Sequence, residues 1–484
     1  MKGLAPTPPL PGHSLDPLET TLGFWKYCAS LAEIWWSRHG GVQPAQMAAQ
    51  RLRALLAFAR EASPWYRRRY AGLPREVSSL ESIPPTTRAE LMAHFDEACT
   101  DPRVRRADVE RFVADRRRVG ELFLGRYRVW KSSGTGGEPG LFVQDPEAVA
   151  VYEALVAMQL AAASLDPARL VAGGGRAALV VATGDHYASI TSWEHLRRIF
   201  PGMAARSYSV LEPLDRLVAE LNEFQPAFLA SYPSVLALLA AERRAGRLRI
   251  APALAWSGGE TLAPAAHASL EAALGCPVVN EYGASECLAI AYSCPEGWLH
   301  LNADWVILEP VEADGRPTPP GATSHTVLVT NLANRVQPVI RYDLGDRVTR
   351  APGPCACGNP APAIRVEGRA ATAVALRDAR GATVRLAPLA LETAVEQATG
   401  ALRFQIAQTA PDRLVVRLDA LGGAAPRAAA GRAAARALRE YLGAQSLANV
   451  HVALGREPPR PDPRSGKLKS VVVEEPCRTR APAA

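Results

Sequence analysis

The sequence predicts an α/β fold with a large N-terminal domain of mostly parallel sheets and helices, a small antiparallel subdomain and a small C-terminal α+β domain. Three observations predict it. From about residue 127, short β-rich runs alternate with helical windows. Between 323 and 350, short strands are separated only by turn residues. After Arg369 the composition breaks, with an alanine-rich stretch further on.

The elements follow in order. Residues 17–100 carry Trp25, Trp35, Trp36, Leu52, Leu55 and Leu56 at helical spacing, which predicts an amphipathic helical cap packed on the main domain. Strands are expected at Ala177 to Thr183, Ala227 to Ser231, Leu254 to Ser257 and Val278 to Glu281. Helical windows at 145–164, 192–200, 212–223, 233–246 and 264–274 lie between them. Short strands at His325 to Thr330 and Val339 to Arg341 form the antiparallel subdomain. Ala373 to Leu376, Arg413 to Leu418 and Val450 to Leu454 read as strands, and 425–442 as a surface helix of high propensity. The expected division is 1–126 as a helical cap, 127–369 as the core and 370–484 as the C-terminal domain.

A chain of 484 residues exceeds what one core usually serves, so two or three domains are expected. With 55 basic and 48 acidic side chains the formal charge is +7, spread along the chain. That suits small anionic ligands better than nucleic acid, for which no recognition motif is present. Met1 to Asp16 lacks the apolar segment of a signal peptide, and no run of about 18 apolar residues predicts a membrane span. The expected location is the cytoplasm. Eight cysteines over this length do not suggest a disulfide framework.

Four motifs carry chemistry. Ser132-Ser133-Gly134-Thr135-Gly136-Gly137 follows a strand-like run. Its glycines let backbone N–H groups fold around an anion, though a plain glycine-rich turn reads the same way. Asn280-Glu281-Tyr282-Gly283-Ala284-Ser285-Glu286 ends an apolar strand, where open parallel sheets bind ligands. There Tyr282 can stack on a base and Glu286 can hold Mg²⁺, or the segment is a strand-end turn. Arg341-Tyr342-Asp343-Leu344-Gly345-Asp346 offers a carboxylate in a fixed turn for ribose hydroxyls. Pro463-Arg464-Ser465-Gly466-Lys467 offers an ammonium for a phosphate, with Lys469 as a competitor and a basic tail as the plain alternative.

In this order the motifs resemble the adenylate-forming superfamily, and most closely its phenylacetate–CoA ligase-like branch. The resemblance spans roughly residues 45–475 and includes Ser63-Pro64-Trp65-Tyr66, Ile83-Pro84, Gly184-Asp185-His186-Tyr187, Ser257-Gly258-Gly259-Glu260 and Gly368-Arg369. It implies that Ser132 to Gly137 cradle the ATP phosphates, and that Gly258, Gly259 and Glu260 line an adenine pocket. Tyr282, with Gly283, Ala284 and Ser285, would pack on the nucleotide. Glu286 would bind Mg²⁺, and Asp346 would hold the ribose. His186 would lie near the acyl carboxylate, Arg369 at the hinge of a mobile C-terminal domain, and Lys467 would serve adenylation. The acid pocket is expected around 232–236, 256–258 and 282–288. The chain departs from the pattern at Ala370-Ala371, where many relatives have Asp, and at Gly136, where they have threonine.

Cys294, His300, Cys355 and Cys357 form two pairs far apart in sequence. Three thiolates and an imidazole suit a closed tetrahedral Zn²⁺ site of structural role, provided the fold brings the pairs together; otherwise they are four unrelated residues. Similar cysteines with zinc occur in the branch.

The activity implied is ATP-dependent activation of an aryl or arylacetic acid to acyl-AMP, then transfer to coenzyme A. A carrier protein or an amine is the alternative acceptor, and relatives of this kind often dimerise. A non-catalytic nucleotide-binding protein is the alternative of a different class.

Overall fold

Runs of apolar residues too short for helices set the central sheet. Ala177–Val181 (β3), Phe228–Ser231 (β5) and Leu254–Ser257 (β6) are buried almost throughout, as strands covered on both faces must be. The computed structural model describes residues 17–39, 41, 43–74, 77, 80–132, 139–163, 167–199, 202–367, 374–399, 404–418, 424–460 and 469–474. Ser133 to Gly137, Arg369 and Lys467 lie outside the described residues.

The large sheet has nine strands in the order β13-β14-β9-β8-β7-β6-β5-β3-β4. Ala205–Ser209 (β4), β3, β5, β6 and Val278–Ala284 (β7) run parallel to one another. Cys287–Ser293 (β8), Leu299–Leu301 (β9), Ala363–Val366 (β14) and Val348–Arg350 (β13) extend it antiparallel. The parallel run is the part with helices between its strands, as the sequence pattern predicted. Val306–Val311 (β10), Thr326–Asn331 (β11) and Val339–Asp343 (β12) form the expected small antiparallel sheet. Arg128–Lys131 (β1) and Leu141–Gln144 (β2) make a hairpin whose connection is the serine–glycine loop.

Helices cover residues 17–39, 44–62, 64–69, 88–93 and 95–98, so the N-terminal stretch is helical as expected. Its packed face differs from the expectation. Leu52, Leu55 and Leu56 are buried, whereas Trp25, Trp35 and Trp36 are 65%, 50% and 65% exposed. The first helix instead turns Ile34 and Ser37 inward and lies against the helix Pro146–Ala162. Among the described residues no helix is long and apolar enough to cross a membrane.

Beyond residue 373, Val374–Arg377 (β15) pairs with Thr383–Leu386 (β16). Phe404–Ala410 (β17), Arg413–Leu418 (β18), His451–Leu454 (β19) and Val471–Val473 (β20) form a four-stranded sheet in the order β19-β18-β17-β20. Helices Pro388–Thr399 and Ala424–Ala444 accompany it. The second helix is not purely superficial, because Ala434, Ala435, Leu438 and Leu442 are buried. This unit contacts the connections of the large sheet at two places: the Tyr187 hydroxyl donates to Glu396 at 2.9 Å, and Gln445 donates to the Glu212 carbonyl at 3.1 Å.

Candidate active site

A cavity of about 310 Å³ opens beyond the carboxyl ends of β6 and β7. Gly259, Glu260, Asn280, Glu281, Tyr282, Gly283 and Asp346 are among the residues lining it. Three segments singled out in the sequence therefore share one hollow, at the strand ends where an open parallel sheet binds ligands.

Local chemistry fixes each wall. Gly259 has φ +78, a left-handed conformation, and a Cβ there would lie 3.0 Å from the Tyr232 ring. Glu260 turns away from solvent to accept from the Ser234 N–H and hydroxyl, both at 2.9 Å, so it closes the start of the helix Pro233–Arg244. A Cβ on Gly283 would stand 2.0 Å from the Leu288 carbonyl oxygen, so only glycine permits that approach of β7 to β8. Across the cavity the Tyr282 hydroxyl donates to Asp346 Oδ2 at 3.0 Å. Burial, with the Asp346 charge beside it, pushes the tyrosine hydroxyl well above its ordinary pKa, so it stays a donor.

The Asp346 turn is rooted in an ion pair between buried Arg341 and partly buried Glu309. Arg341 binds Glu309 with two nitrogens, at 3.0 and 3.1 Å, and its backbone N–H donates to Thr330. Asp343 accepts from the Gly345 N–H at 2.8 Å, which sets the turn. The N-terminal signature segments brace this strand. Thr86 exchanges backbone hydrogen bonds with Arg341 and Asp343, and the Tyr66 hydroxyl donates to the Pro338 carbonyl at 2.7 Å.

Glu286 is 6% exposed, and burial holds its carboxyl above the ordinary range, with the Asp346 charge adding in the same direction. Its backbone carbonyl accepts from Asn331 at 3.0 Å. The neighbouring Ser285 carbonyl accepts from the Trp130 indole at 2.7 Å. Trp130 belongs to β1, directly before the serine–glycine loop. The base of that loop is closed by Ser132, whose N–H donates to the Gly140 carbonyl and whose hydroxyl accepts from the Gly140 N–H. Lys131 pairs with Asp185, and its N–H donates to the His186 carbonyl at 2.9 Å. The loop base, the Glu286 turn and the 184–187 segment thus meet.

His186 is fully buried and is not among the residues lining the cavity. Its Nε2 lies 3.1 Å from the Asp115 carbonyl, its ring packs on Phe112, and burial lowers its pKa. Lys469 is described, and its backbone carbonyl accepts from Gln405. Glu281 had no role assigned to it in the sequence. It lines the cavity, bonds the Trp256 indole N–H at 2.8 Å and is raised by burial to about 7. A glutamate directly before the Tyr282 motif, on a strand that begins Val278-Val279, was the signal available.

The two cysteine-bearing segments do come together. The ligand atoms of Cys294, His300, Cys355 and Cys357 all lie within 4.8 Å of one another. The Cys294 and Cys355 sulfurs are 3.7 Å apart, close to the roughly 3.8 Å that two thiolates at about 2.3 Å from a tetrahedral Zn²⁺ would show. His300 directs Nδ1 to the Ala361 carbonyl at 2.9 Å and Nε2 toward Cys357, the arrangement that orients a metal-binding imidazole. The seven cysteines among the described residues are all free of disulfides.

The fold and the motif-lined cavity can be set beside those of known proteins. No family model matches the chain. A phenylacetate-coenzyme A ligase of Thermus thermophilus is 26% identical over 324 residues, covering 64% of this chain and 66% of that one. Protein CapK of Staphylococcus aureus is 25% identical over 158 residues, 32% of this chain and 34% of that one. The matches thus span about two thirds and one third of these relatives. A 2-hydroxyisobutyryl-CoA ligase structure in its thioesterification state, with 2-HIB-AMP and CoA, aligns with a TM-score of 0.55 at 20% identity. It covers 90% of this chain and 91% of that one. The chain is thus similar in sequence to a phenylacetate-coenzyme A ligase and shares the fold of a 2-hydroxyisobutyryl-CoA ligase.

Proposed function

We propose that this chain is an acid–thiol ligase that activates a carboxylic acid with ATP and passes the acyl group to coenzyme A. The observation that carries the reading is the Tyr282–Asp346 pair closing the cavity beside Gly259. A phenol face and a charged acceptor at that spacing suit a purine and its ribose diol.

In the first step an oxygen of the acid's carboxylate attacks the α-phosphorus of ATP. The bond to the pyrophosphate oxygen breaks and pyrophosphate leaves, giving acyl-AMP. The residues Ser132 to Gly137 hold the phosphates, and Lys467 brings its ammonium to the oxygen on which charge grows. Glu286 is the buried carboxylate that would hold Mg²⁺, beside the like charge of Asp346, which a bound cation would offset; the ion would supply neutralisation of phosphate charge. In the second step the CoA sulfur attacks the acyl carbon and the bond to AMP breaks. Arg369 lies at the hinge that moves Lys467 away between the steps, and His186 braces the loop base through its carbonyl bond to Lys131.

The acid is aryl or arylacetic, as the aromatic Trp256 and Tyr232 near the cavity favour. Cys294, His300, Cys355 and Cys357 would hold Zn²⁺, which would tie β9 to the loop before β14 in a structural role. The core runs over residues 127–369, with 1–126 as its cap and 370–484 as the mobile unit. The cytoplasm, which supplies ATP and CoA and keeps thiols reduced, is the compartment that fits.

The test is acid-dependent exchange of labelled pyrophosphate into ATP over a panel of aryl, arylacetic and short acids. Mass spectrometry then follows with CoA, a carrier protein or an amine offered as acceptor. Exchange with an acid and a CoA thioester as product are expected. Absence of exchange with every acid would favour a nucleotide-binding protein without catalysis.

A further inference from the structure

The cavity has a second polar feature that the nucleotide does not need. Glu281 and Tyr282 are consecutive in β7, so their side chains point to opposite faces of the sheet. Tyr282 takes the Asp346 side. Glu281 stands with Trp256, whose ring meets Tyr292 edge-on at 5.5 Å and Phe228 at 6.4 Å. Tyr292 is also its cross-strand neighbour, and its buried hydroxyl has no hydrogen-bond partner among the described residues.

The surroundings of the Glu281 carboxyl are aromatic walls and two glycines. A Cβ on Gly258 would lie 3.9 Å from its Oε2, and one on Gly283 3.5 Å from Oε1. The missing side chains leave the carboxyl open to the cavity it lines. Its side chain has one hydrogen-bond partner among the described residues, the neutral indole of Trp256. Holding a partly buried carboxylate among these rings with one neutral donor is costly unless something else completes its shell. An apolar pocket with a single placed polar group is the usual form of a site that reads one substituent of a ligand.

We propose that Glu281 is a specificity-determining residue that accepts from an amine or ammonium group carried by the acid being activated. This rests on the adenylating reading above. The acid class is therefore an aromatic or arylacetic acid bearing a basic nitrogen, its ring against Trp256 and its nitrogen at Glu281.

The test compares acids in pairs, each with and without an amino or aminomethyl substituent, in wild type, Glu281→Gln and Glu281→Leu. Binding is read by calorimetry and activation by pyrophosphate exchange. Glutamine keeps an acceptor for Trp256, so that variant retains the local structure if leucine does not. Wild type is expected to bind the nitrogen-bearing acid of at least one pair about 10-fold or more tightly, as a charge-assisted hydrogen bond allows. Both substitutions are expected to bring that ratio near one and leave the KM for ATP unchanged. A wild-type preference for every unsubstituted acid would overturn the proposal. So would a raised KM for ATP with all acids alike, because it would put the carboxylate on the nucleotide. An amine preference in binding without any exchange would support Glu281 and count against adenylation, whereas exchange without that preference would count against Glu281 alone.

Discussion

The Tyr282 hydroxyl and the Asp346 carboxylate are joined at 3.0 Å across the cavity, although 64 positions separate them in the chain. The bond links the end of β7 to the turn after β12, and it orients a charged acceptor toward the hollow. Asp346→Ala removes that acceptor and is predicted to raise the KM for ATP by about 10- to 100-fold, the range for hydrogen bonds to a charged group. Tyr282→Phe keeps the ring and loses only the tether, so a rise under about 10-fold is expected. Steady-state pyrophosphate release with varied ATP measures both.

The Arg341–Glu309 pair holds the root of that turn in the interior. Arg341→Ala strands the partly buried Glu309 carboxylate, and the loss is expected to approach the roughly 3–5 kcal/mol of breaking a fully buried pair. Urea unfolding of the variant should show that loss, with Arg341→Lys intermediate because it cannot span both carboxylate oxygens.

Glu281 gives a pH signature. Burial raises its carboxyl from an ordinary 4.5 to about 7 in the folded protein. Between those values the native state binds more protons than the unfolded chain, so this residue's contribution falls as pH rises. Glu281→Gln removes the contribution. Relative to the variant, wild type is predicted to lose urea resistance from pH 5 to 7, and parallel midpoints over that interval would contradict the assignment.

The cysteine cluster predicts a metal content. Purified protein should carry one zinc per chain by elemental analysis, and Cys355→Ser should lose it and melt at lower temperature. The rate per folded molecule should stay close to wild type, since a closed shell leaves no position for substrate.

How far the sequence spoke for itself depended on how local each signal is. The strands Leu254–Ser257 and Arg413–Leu418 were read to the residue, because each is a short apolar or alternating run between turn signals. Cys287–Ser293, Leu299–Leu301 and Ala363–Val366 were not read. Ala363–Val366 is a strand through partners 14 to 65 positions away, as the Ala363–His300 pairing illustrates. The metal cluster was legible because cysteine and histidine announce ligand chemistry wherever they lie. Trp25 and Trp36 misled, since helical spacing alone does not say which face packs; Ile34 and Ser37 mark that face instead. His186 reads as a site residue from its motif, yet its ring is sealed against Phe112 and Asp115. Glu281 went unassigned because a glutamate beside a tyrosine motif looks like a solvated turn until the cavity around it is seen.

The most direct measurement is a crystal structure with a non-hydrolysable acyl-AMP analogue. The adenine is expected between Gly259 and Tyr282, the ribose hydroxyls on the Asp346 carboxylate, and the acyl group on the Trp256 side. An analogue bound elsewhere, or one in this cavity with its ribose turned away from Asp346, would contradict it.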